Sequence, residues 1–242
     1  AGESLTESDP FAAVPNNITS TVQQQPQAAA AGTELEAKSW FNEGPPFNNG
    51  DTPLGSDPNI RWYPVNTNKP SWGNKPLPGT GFSTRHLTAL REQPAALAYT
   101  TLGITLDLPT LNVQADVVSV PEEENGWSVD WLGEKTGLLE GSALPGEGIS
   151  YIAGHNHLNT LETGPFLFLS QLEENDRIFV RGASGQLLEF SVFANERYAP
   201  DEFAAVHEKA SEVFNALVLI TCEDESIDGG YLGRRVVFGR PL

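Results

Sequence analysis

The chain contains a single cysteine, Cys222, which stands where an apolar run gives way to polar residues. The run, residues 216–221, is typical of a buried strand, and Glu223 and Asp224 follow the cysteine directly. A thiol at a strand exit is expected to be partly exposed and able to react, although a lone cysteine also occurs as a small core residue. Because the two carboxylates would raise the pKa of the thiol, a nucleophile at this position needs a positive partner.

Two sites in the sequence offer such a partner. His155 follows the apolar residues 151–154, again where a predicted strand leaves the core. Arg234 and Arg235 open the last apolar segment, and only one of them can face the thiol because adjacent strand residues point to opposite faces. Taken singly, a surface histidine and a solvated strand-edge arginine are the simpler interpretations. Together with Cys222, these residues predict a cysteine acyl-transfer site.

The elements that would position these residues are mainly strands. Strands are predicted at residues 104–108, 113–120, 127–132, 149–154, 178–181, 187–194, 216–221 and 236–238. Helices are predicted at residues 84–97, 164–172 and 201–213. The spacing indicates a mainly β fold, a closed barrel of about eight strands with short helices in the connections.

The N-terminal part of the chain has a different composition. Residues 23–32 form an Ala/Gln/Pro-rich tract, and residues 39–82 are dense in Pro, Gly and Asn with isolated aromatic residues. We therefore predict a largely irregular, low-complexity and Pro/Gly/Asn-rich extension over residues 1–98 and a catalytic β-barrel domain over residues 99–242.

Charge and hydropathy exclude several classes of function. The 242 residues have a net charge of -18, which argues against nucleic acid and anionic lipid as partners. No run of 18 apolar residues and no signal peptide is present, and the chain begins without Met, so we expect an anchor or signal upstream of it. Residues 122–124 and 223–228 are acidic and offer weak support for Ca²⁺, but solvated loops are the simpler interpretation and no cofactor is expected.

Three motifs resemble the signature of one family, the sortases. The string Ile-Thr-Cys ending at Cys222 is followed 12 residues later by Arg234 and then Val-Val-Phe-Gly. Residues 152–155, Ile-Ala-Gly-His, resemble the Gly-His that ends an earlier strand in sortases, and residues 164–178 resemble the segment that follows it. The motifs occur in the family's order, and the resemblance covers residues 99–242.

The resemblance implies a sortase-type β-barrel and a cysteine transpeptidase. The Cys222 thiolate would attack the Thr carbonyl of a Leu-Pro-x-Thr-Gly (LPXTG) sorting signal and form a thioacyl enzyme. His155 would protonate the departing Gly amine and then accept a proton from the incoming amine. Arg234, or Arg235 as the alternative, would stabilise the substrate carbonyl and its oxyanion, and Thr221 would help to position the substrate.

The expected partners follow from the same resemblance. They are secreted proteins with an LPXTG-like signal and an amine acceptor such as a cell-wall peptide or a pilin lysine. The expected location is extracytoplasmic, at the bacterial cell surface, with membrane anchoring through a segment absent from this chain. Two alternatives remain open: a cysteine endopeptidase that uses water as the acceptor, and a non-catalytic cell-surface barrel protein.

The extension itself contains a Leu-Pro-x-Thr-Gly string, here termed the LPGTG segment, formed by Leu77, Pro78, Gly79, Thr80 and Gly81. From composition, a chance match in a chain of this length is on the order of one in a hundred. Polar residues follow Phe82, so the segment is not a terminal anchoring signal. A Pro-Gly turn in a linker is the simpler interpretation, and a pseudosubstrate that lies near Cys222 is the alternative hypothesis.

Overall fold

A computed structural model describes residues 75–242 of the chain. Two features of the sequence lie outside the described residues: the Ala/Gln/Pro-rich tract at residues 23–32 and the aromatic residues between positions 40 and 72. The LPGTG segment lies within them. In this part of the chain, no helix has both the length and the apolar character needed to cross a membrane.

Eight strands close into a barrel in the order β1-β2-β5-β6-β9-β10-β8-β7, and β7 pairs with β1. The bounds are β1 Thr100–Leu108, β2 Val113–Val120, β5 Thr136–Leu139, β6 Ser150–Gly154, β7 Arg177–Arg181, β8 Leu187–Tyr198, β9 Leu217–Glu225 and β10 Tyr231–Pro241. Two short strands, β3 Glu122–Glu123 and β4 Gly126–Trp127, form a separate hairpin. The β2–β5 and β6–β9 pairs are parallel and the other barrel pairs are antiparallel. The predicted mainly β fold with a closed barrel is confirmed.

Strand alternation divides the apolar side chains into two clusters. Leu217 and Leu219 belong to a cluster with members from all eight barrel strands, which is the barrel interior. Val218 and Ile220 point the other way and join an outer cluster, which packs against the helix α1, Phe203–Ala210. Cys222 has the parity of Val218 and Ile220, so β9 directs its side chain to the outer face.

Several predicted elements differ from the observed ones. The strand predicted at residues 127–132 is limited to β4, because the chain then turns and the Leu132 amide donates to the Val129 carbonyl. The helices predicted at residues 84–97 and 164–172 are reduced to the 3₁₀ turns Ala95–Leu97 and Leu169–Gln171. In the first of these segments most side chains are exposed, so a helix there would have no buried face to stabilise it. The strand β5 was not predicted.

Candidate active site

The end of β9 lies between the ends of its neighbours, β6 and β10. In the antiparallel pair with β10, Cys222 is directly opposite Arg234. In the parallel pair with β6, Ala153 is opposite Ile220, and His155 continues this register to the level of Cys222. Residues that are opposite one another on paired strands share a face of the sheet. The fold therefore brings a thiol, an imidazole and a guanidinium to one edge of the outer barrel surface.

Arg234, rather than Arg235, lies on the face of the thiol. Its side chain is buried, and its Nε donates to the carbonyl oxygen of Pro78 at 2.8 Å. Arg235 points to the opposite face, where its Nη2 lies 2.5 Å from a carboxylate oxygen of Glu223. Strand alternation thus separates the two arginines, and only Arg234 can act on a group bound over Cys222.

Cys222 is only 4% exposed, in contrast to the partly exposed thiol that the strand-exit position predicts. Thr80 of the LPGTG segment lies against it. Burial raises the pKa of the Cys222 thiol, whereas the Arg234 charge and the amide and hydroxyl of Thr80 lower it. The net effect is a raised pKa, so the thiol is neutral at pH 7.

The acidic neighbours of Cys222 do not account for this raised pKa. Glu223 is paired with Arg235, and Asp224 is paired with Arg197. Each carboxylate therefore has a local counter-charge that offsets its field at the thiol. The expectation that these carboxylates set the pKa of Cys222 is replaced by a simpler cause, the loss of water around the sulfur.

His155 is fully buried. Its Nε2 lies 3.1 Å from the Val129 carbonyl oxygen, and a carbonyl can only accept, so Nε2 carries the proton. Its Nδ1 is buried and has no hydrogen-bond partner among residues 75–242. Burial lowers the pKa of His155 to about 4, despite the opposing effect of the Val129 and Asp130 carbonyls. At neutral pH the ring is therefore neutral, with its free lone pair on Nδ1.

Two polar side chains connect β6 to β9. The hydroxyl of Thr221 donates to the Gly154 carbonyl at 2.8 Å, and the amide Nδ2 of Asn156 donates to the Cys222 carbonyl at 3.0 Å. Thr221 is buried on the face opposite to the thiol, so the structure places it between strands rather than in the groove. Asn156 was not singled out from the sequence, where its position next to His155 was the only available signal.

The LPGTG segment lies across the three predicted catalytic side chains. The backbone amide of Leu77 donates to the Pro200 carbonyl at 2.6 Å, and the backbone amide of Asn156 donates to the Thr80 carbonyl at 3.2 Å. The side chains of Leu77 and Thr80 are buried. Beyond the segment, the ring of Phe82 stacks on the His155 imidazole with 4.9 Å between centroids.

The acidic residues considered for Ca²⁺ do not form a cation site. Within the described residues there is no group of three or more His, Cys, Asp or Glu side chains that could hold a metal ion. Glu122 instead pairs with Lys75, and Glu225 accepts hydrogen bonds from Ser83 and Thr84.

Solved structures with a similar fold are sortases of several classes. A lid mutant of sortase A from Corynebacterium diphtheriae is 21% identical, with a TM-score of 0.47 over 61% of this chain and 74% of that one. Sortase C-3 from Streptococcus pneumoniae is 19% identical, with a TM-score of 0.48 over 70% of this chain and 74% of that one. Sortase C from Clostridium perfringens, solved with the C-terminal cell wall sorting motif, is 23% identical, with a TM-score of 0.45 over 64% and 79%.

The sequence also matches a family model directly. The model of the sortase domain matches residues 106–242, which is more than half of the chain. No curated protein sequence matches at a significant level. The matched residues contain all three motifs that resemble sortases in the sequence, and they include seven of the eight barrel strands in full. The chain therefore belongs to the sortase family, whose members are cysteine transpeptidases.

Proposed function

We propose that this protein cleaves an LPXTG-type sorting signal between Thr and Gly and transfers the new acyl group to an amine. The observation that carries the proposal is the convergence of Cys222, His155 and Arg234 at one level and on one face of the adjacent strands β6, β9 and β10. A nucleophile, a proton-transfer group and a cationic hydrogen-bond donor are the three components that acyl transfer through a thioester requires.

In the proposed reaction, the Cys222 sulfur attacks the Thr carbonyl carbon, and the thiol proton is taken up by His155 Nδ1. The tetrahedral intermediate collapses as the C–N bond to Gly breaks, and the same Nδ1 delivers its proton to the departing amine. An incoming amine then attacks the thioester and gives its proton to His155, the C–S bond breaks, and His155 returns that proton to the Cys222 sulfur. Arg234 donates to the substrate backbone and stabilises the negative charge of each tetrahedral intermediate.

The proposed substrates are secreted proteins with an LPXTG-like signal, and the proposed acceptor is an amine of a cell-wall peptide or a pilin lysine. This reaction would take place at the bacterial cell surface, where sortases act. Water as the acceptor would make the same site an endopeptidase, because the acylation step is identical. The choice between amine and water is therefore an outcome to be measured.

The arginine assignment gives the sharpest test of the proposed mechanism. The Arg234→Lys variant should lower the rate of Leu-Pro-x-Thr-Gly peptide cleavage by about 10² or more, because a point charge cannot replace a planar donor at a developing oxyanion. Its matched control is Arg235→Lys, which lies on the opposite face of β10 and should stay within about threefold of the wild type.

Peptide cleavage should be followed by mass spectrometry with and without triglycine as the amine. An amide product with triglycine supports the transpeptidase, and free acid alone favours the endopeptidase. Equal rates for Arg234→Lys and Arg235→Lys would contradict the role proposed for Arg234.

A further inference from the structure

The groove over Cys222 is occupied by the chain's own LPGTG segment. We propose that this segment is a resident pseudosubstrate, which occupies the sorting-signal groove in the register of a substrate and must leave before a sorting signal can enter. The inference rests on the proposed function, since it takes this groove to be the substrate site. Three sets of contacts carry it: those of the segment's backbone, of its individual positions, and of the residues that follow it.

The backbone of the segment is held by Arg234, which the proposed reaction uses, and by Asn156, which follows His155 directly. Arg234, the proposed oxyanion donor, donates to the Pro78 carbonyl. The backbone amide of Asn156 donates to the Thr80 carbonyl, which corresponds to the carbonyl that the thiol attacks in a substrate. Thr80 is near enough to Cys222 for its amide and hydroxyl to lower the pKa of the thiol, although its Oγ1 has no hydrogen-bond partner among residues 75–242. The segment therefore places its Thr at the thiol, where the proposed reaction requires the Thr of a sorting signal.

Each position of the segment meets a site that fits its side chain. Leu77 is buried in the outer apolar cluster, and Thr80 is fully buried against the thiol. Gly79 is exposed, and a Cβ added there would lie 3.4 Å from Arg234 Nη2, an ordinary contact. A Cβ at Gly81 would lie only 2.1 Å from Asn156 Oδ1. The groove thus selects Leu, Thr and the final Gly and leaves the third position open, which is the pattern of the motif itself.

The residues after the segment anchor it to the far side of the site. The Phe82 carbonyl accepts from the Tyr231 hydroxyl at 3.0 Å. The Ser83 hydroxyl and the Thr84 amide donate to Glu225 Oε1 at 2.7 and 2.9 Å. These bonds hold Phe82 over the His155 ring. Both ends of the LPGTG segment are therefore tied to the barrel, one through Leu77 and the other through residues 82–84.

The same contacts explain why the resident segment would not be cleaved. With Phe82 stacked on it, His155 is excluded from water and burial lowers its pKa to about 4, so Nδ1 is a weak base for the thiol proton that it must take up before it can protonate a departing Gly81 amine. Burial also raises the pKa of the Cys222 thiol, which makes the thiol a poor proton donor to His155. The peptide bond between Thr80 and Gly81 thus faces a thiol and an imidazole between which the first proton transfer of the proposed reaction is unfavourable.

A matched pair of glycine variants in the full chain tests the inference. Gly81→Ala introduces a methyl group that overlaps Asn156 and should expel the segment, whereas Gly79→Ala adds a methyl group that the structure accommodates. Because Cys222 is the only cysteine, its alkylation by iodoacetamide reports directly on access to the groove. We expect Gly81→Ala to be alkylated about tenfold faster than the wild type or more, and Gly79→Ala to stay within about twofold of it.

A second variant guards against a local adjustment around Gly81. Leu77→Ala removes the buried anchor at the other end of the segment and should also accelerate alkylation, with circular dichroism confirming that the barrel is folded. Wild-type alkylation rates in both Gly81→Ala and Leu77→Ala would overturn the inference. So would an intact-mass spectrum in which the wild-type chain is already cut between Thr80 and Gly81, because the segment would then be a substrate.

The same experiment separates this inference from the proposed function. Alkylation requires no turnover, so unchanged alkylation counts against the pseudosubstrate whatever the enzyme does to peptides. If Gly81→Ala is alkylated rapidly and its thiol forms no acyl adduct with a Leu-Pro-x-Thr-Gly peptide, the proposed chemistry fails while occlusion of Cys222 by the segment stands.

Discussion

The protonation state of one residue, His155, depends on a ring from the N-terminal side of the barrel. His155 Nδ1 is free and its Nε2 is committed to the Val129 carbonyl, so only one nitrogen can exchange a proton with a substrate. Phe82 covers the imidazole and removes water from it. We therefore infer that Phe82 contributes to the desolvation that keeps this histidine neutral.

Removing the Phe82 ring should raise the pKa of His155 from about 4 towards its usual value near 6.5. The Phe82→Ala variant tests this by NMR titration of the imidazole Cε1 proton. Phe168→Ala, which removes an aromatic ring that is half exposed, is the control and should leave the titration unchanged. A His155 that still titrates near pH 4 without Phe82 would assign its desolvation to the barrel itself.

Among the elements, the parallel pair of β6 and β9 sets the distance between the histidine and the cysteine. The pairing of the two strands ends at Ala153 and Ile220, because β6 ends at Gly154 while β9 continues to Glu225 paired with β10 alone. Beyond this point, the Thr221 hydroxyl and the side-chain amide of Asn156 connect the two strands by hydrogen bonds to the Gly154 and Cys222 carbonyls. Two side-chain hydrogen bonds therefore take over where the backbone pairing of the strands stops.

The Thr221→Val variant should lower the free energy of unfolding by about 1–3 kcal/mol, because it removes the donor to a buried Gly154 carbonyl and adds no compensating bond. Urea denaturation measures this change. Thr101→Val, on an exposed position of β1, makes the same substitution without a buried partner and should change stability by less than about 0.5 kcal/mol. If Thr101→Val lowered the free energy of unfolding as much as Thr221→Val, the hydrogen bond between Thr221 and Gly154 would not be the cause of the loss.

For the molecule as a whole, local sequence patterns predicted the barrel and a strand that ends just before His155, whereas the strand predicted to end before Cys222 continues to Glu225. The burial of Cys222 was not predictable in this way, since Thr80 covers it from far along the chain. The strand β5 was missed because it contains Gly137, a weak strand former that is needed where Val120 and Leu132 pack tightly against it. Tertiary contacts, not local propensity, decided both features.

The stability of the whole fold should depend on pH through His155. Its pKa is about 4 in the folded protein and near 6.5 when unfolded, so the unfolded chain takes up the proton first as pH falls. Between pH 6.5 and 4 the protein should therefore lose stability, by on the order of 3 kcal/mol from this group. In thermal unfolding experiments across this range, the unfolding temperature of His155→Gln should fall less steeply with decreasing pH than that of the wild type. The same slope in both proteins would exclude His155 as the cause.

The central claim, that Cys222 is the nucleophile of an acyl transfer, is tested most directly by intact-mass spectrometry. The Gly81→Ala chain, with its groove opened, should be mixed with a Leu-Pro-x-Thr-Gly peptide in the absence of amine and quenched in acid. We expect a hydroxylamine-labile adduct on Cys222 with the mass of the peptide fragment that ends in Thr. The double variant Gly81→Ala/Cys222→Ala should form no adduct. An opened groove that forms no adduct, or an adduct that persists without Cys222, would contradict the central claim.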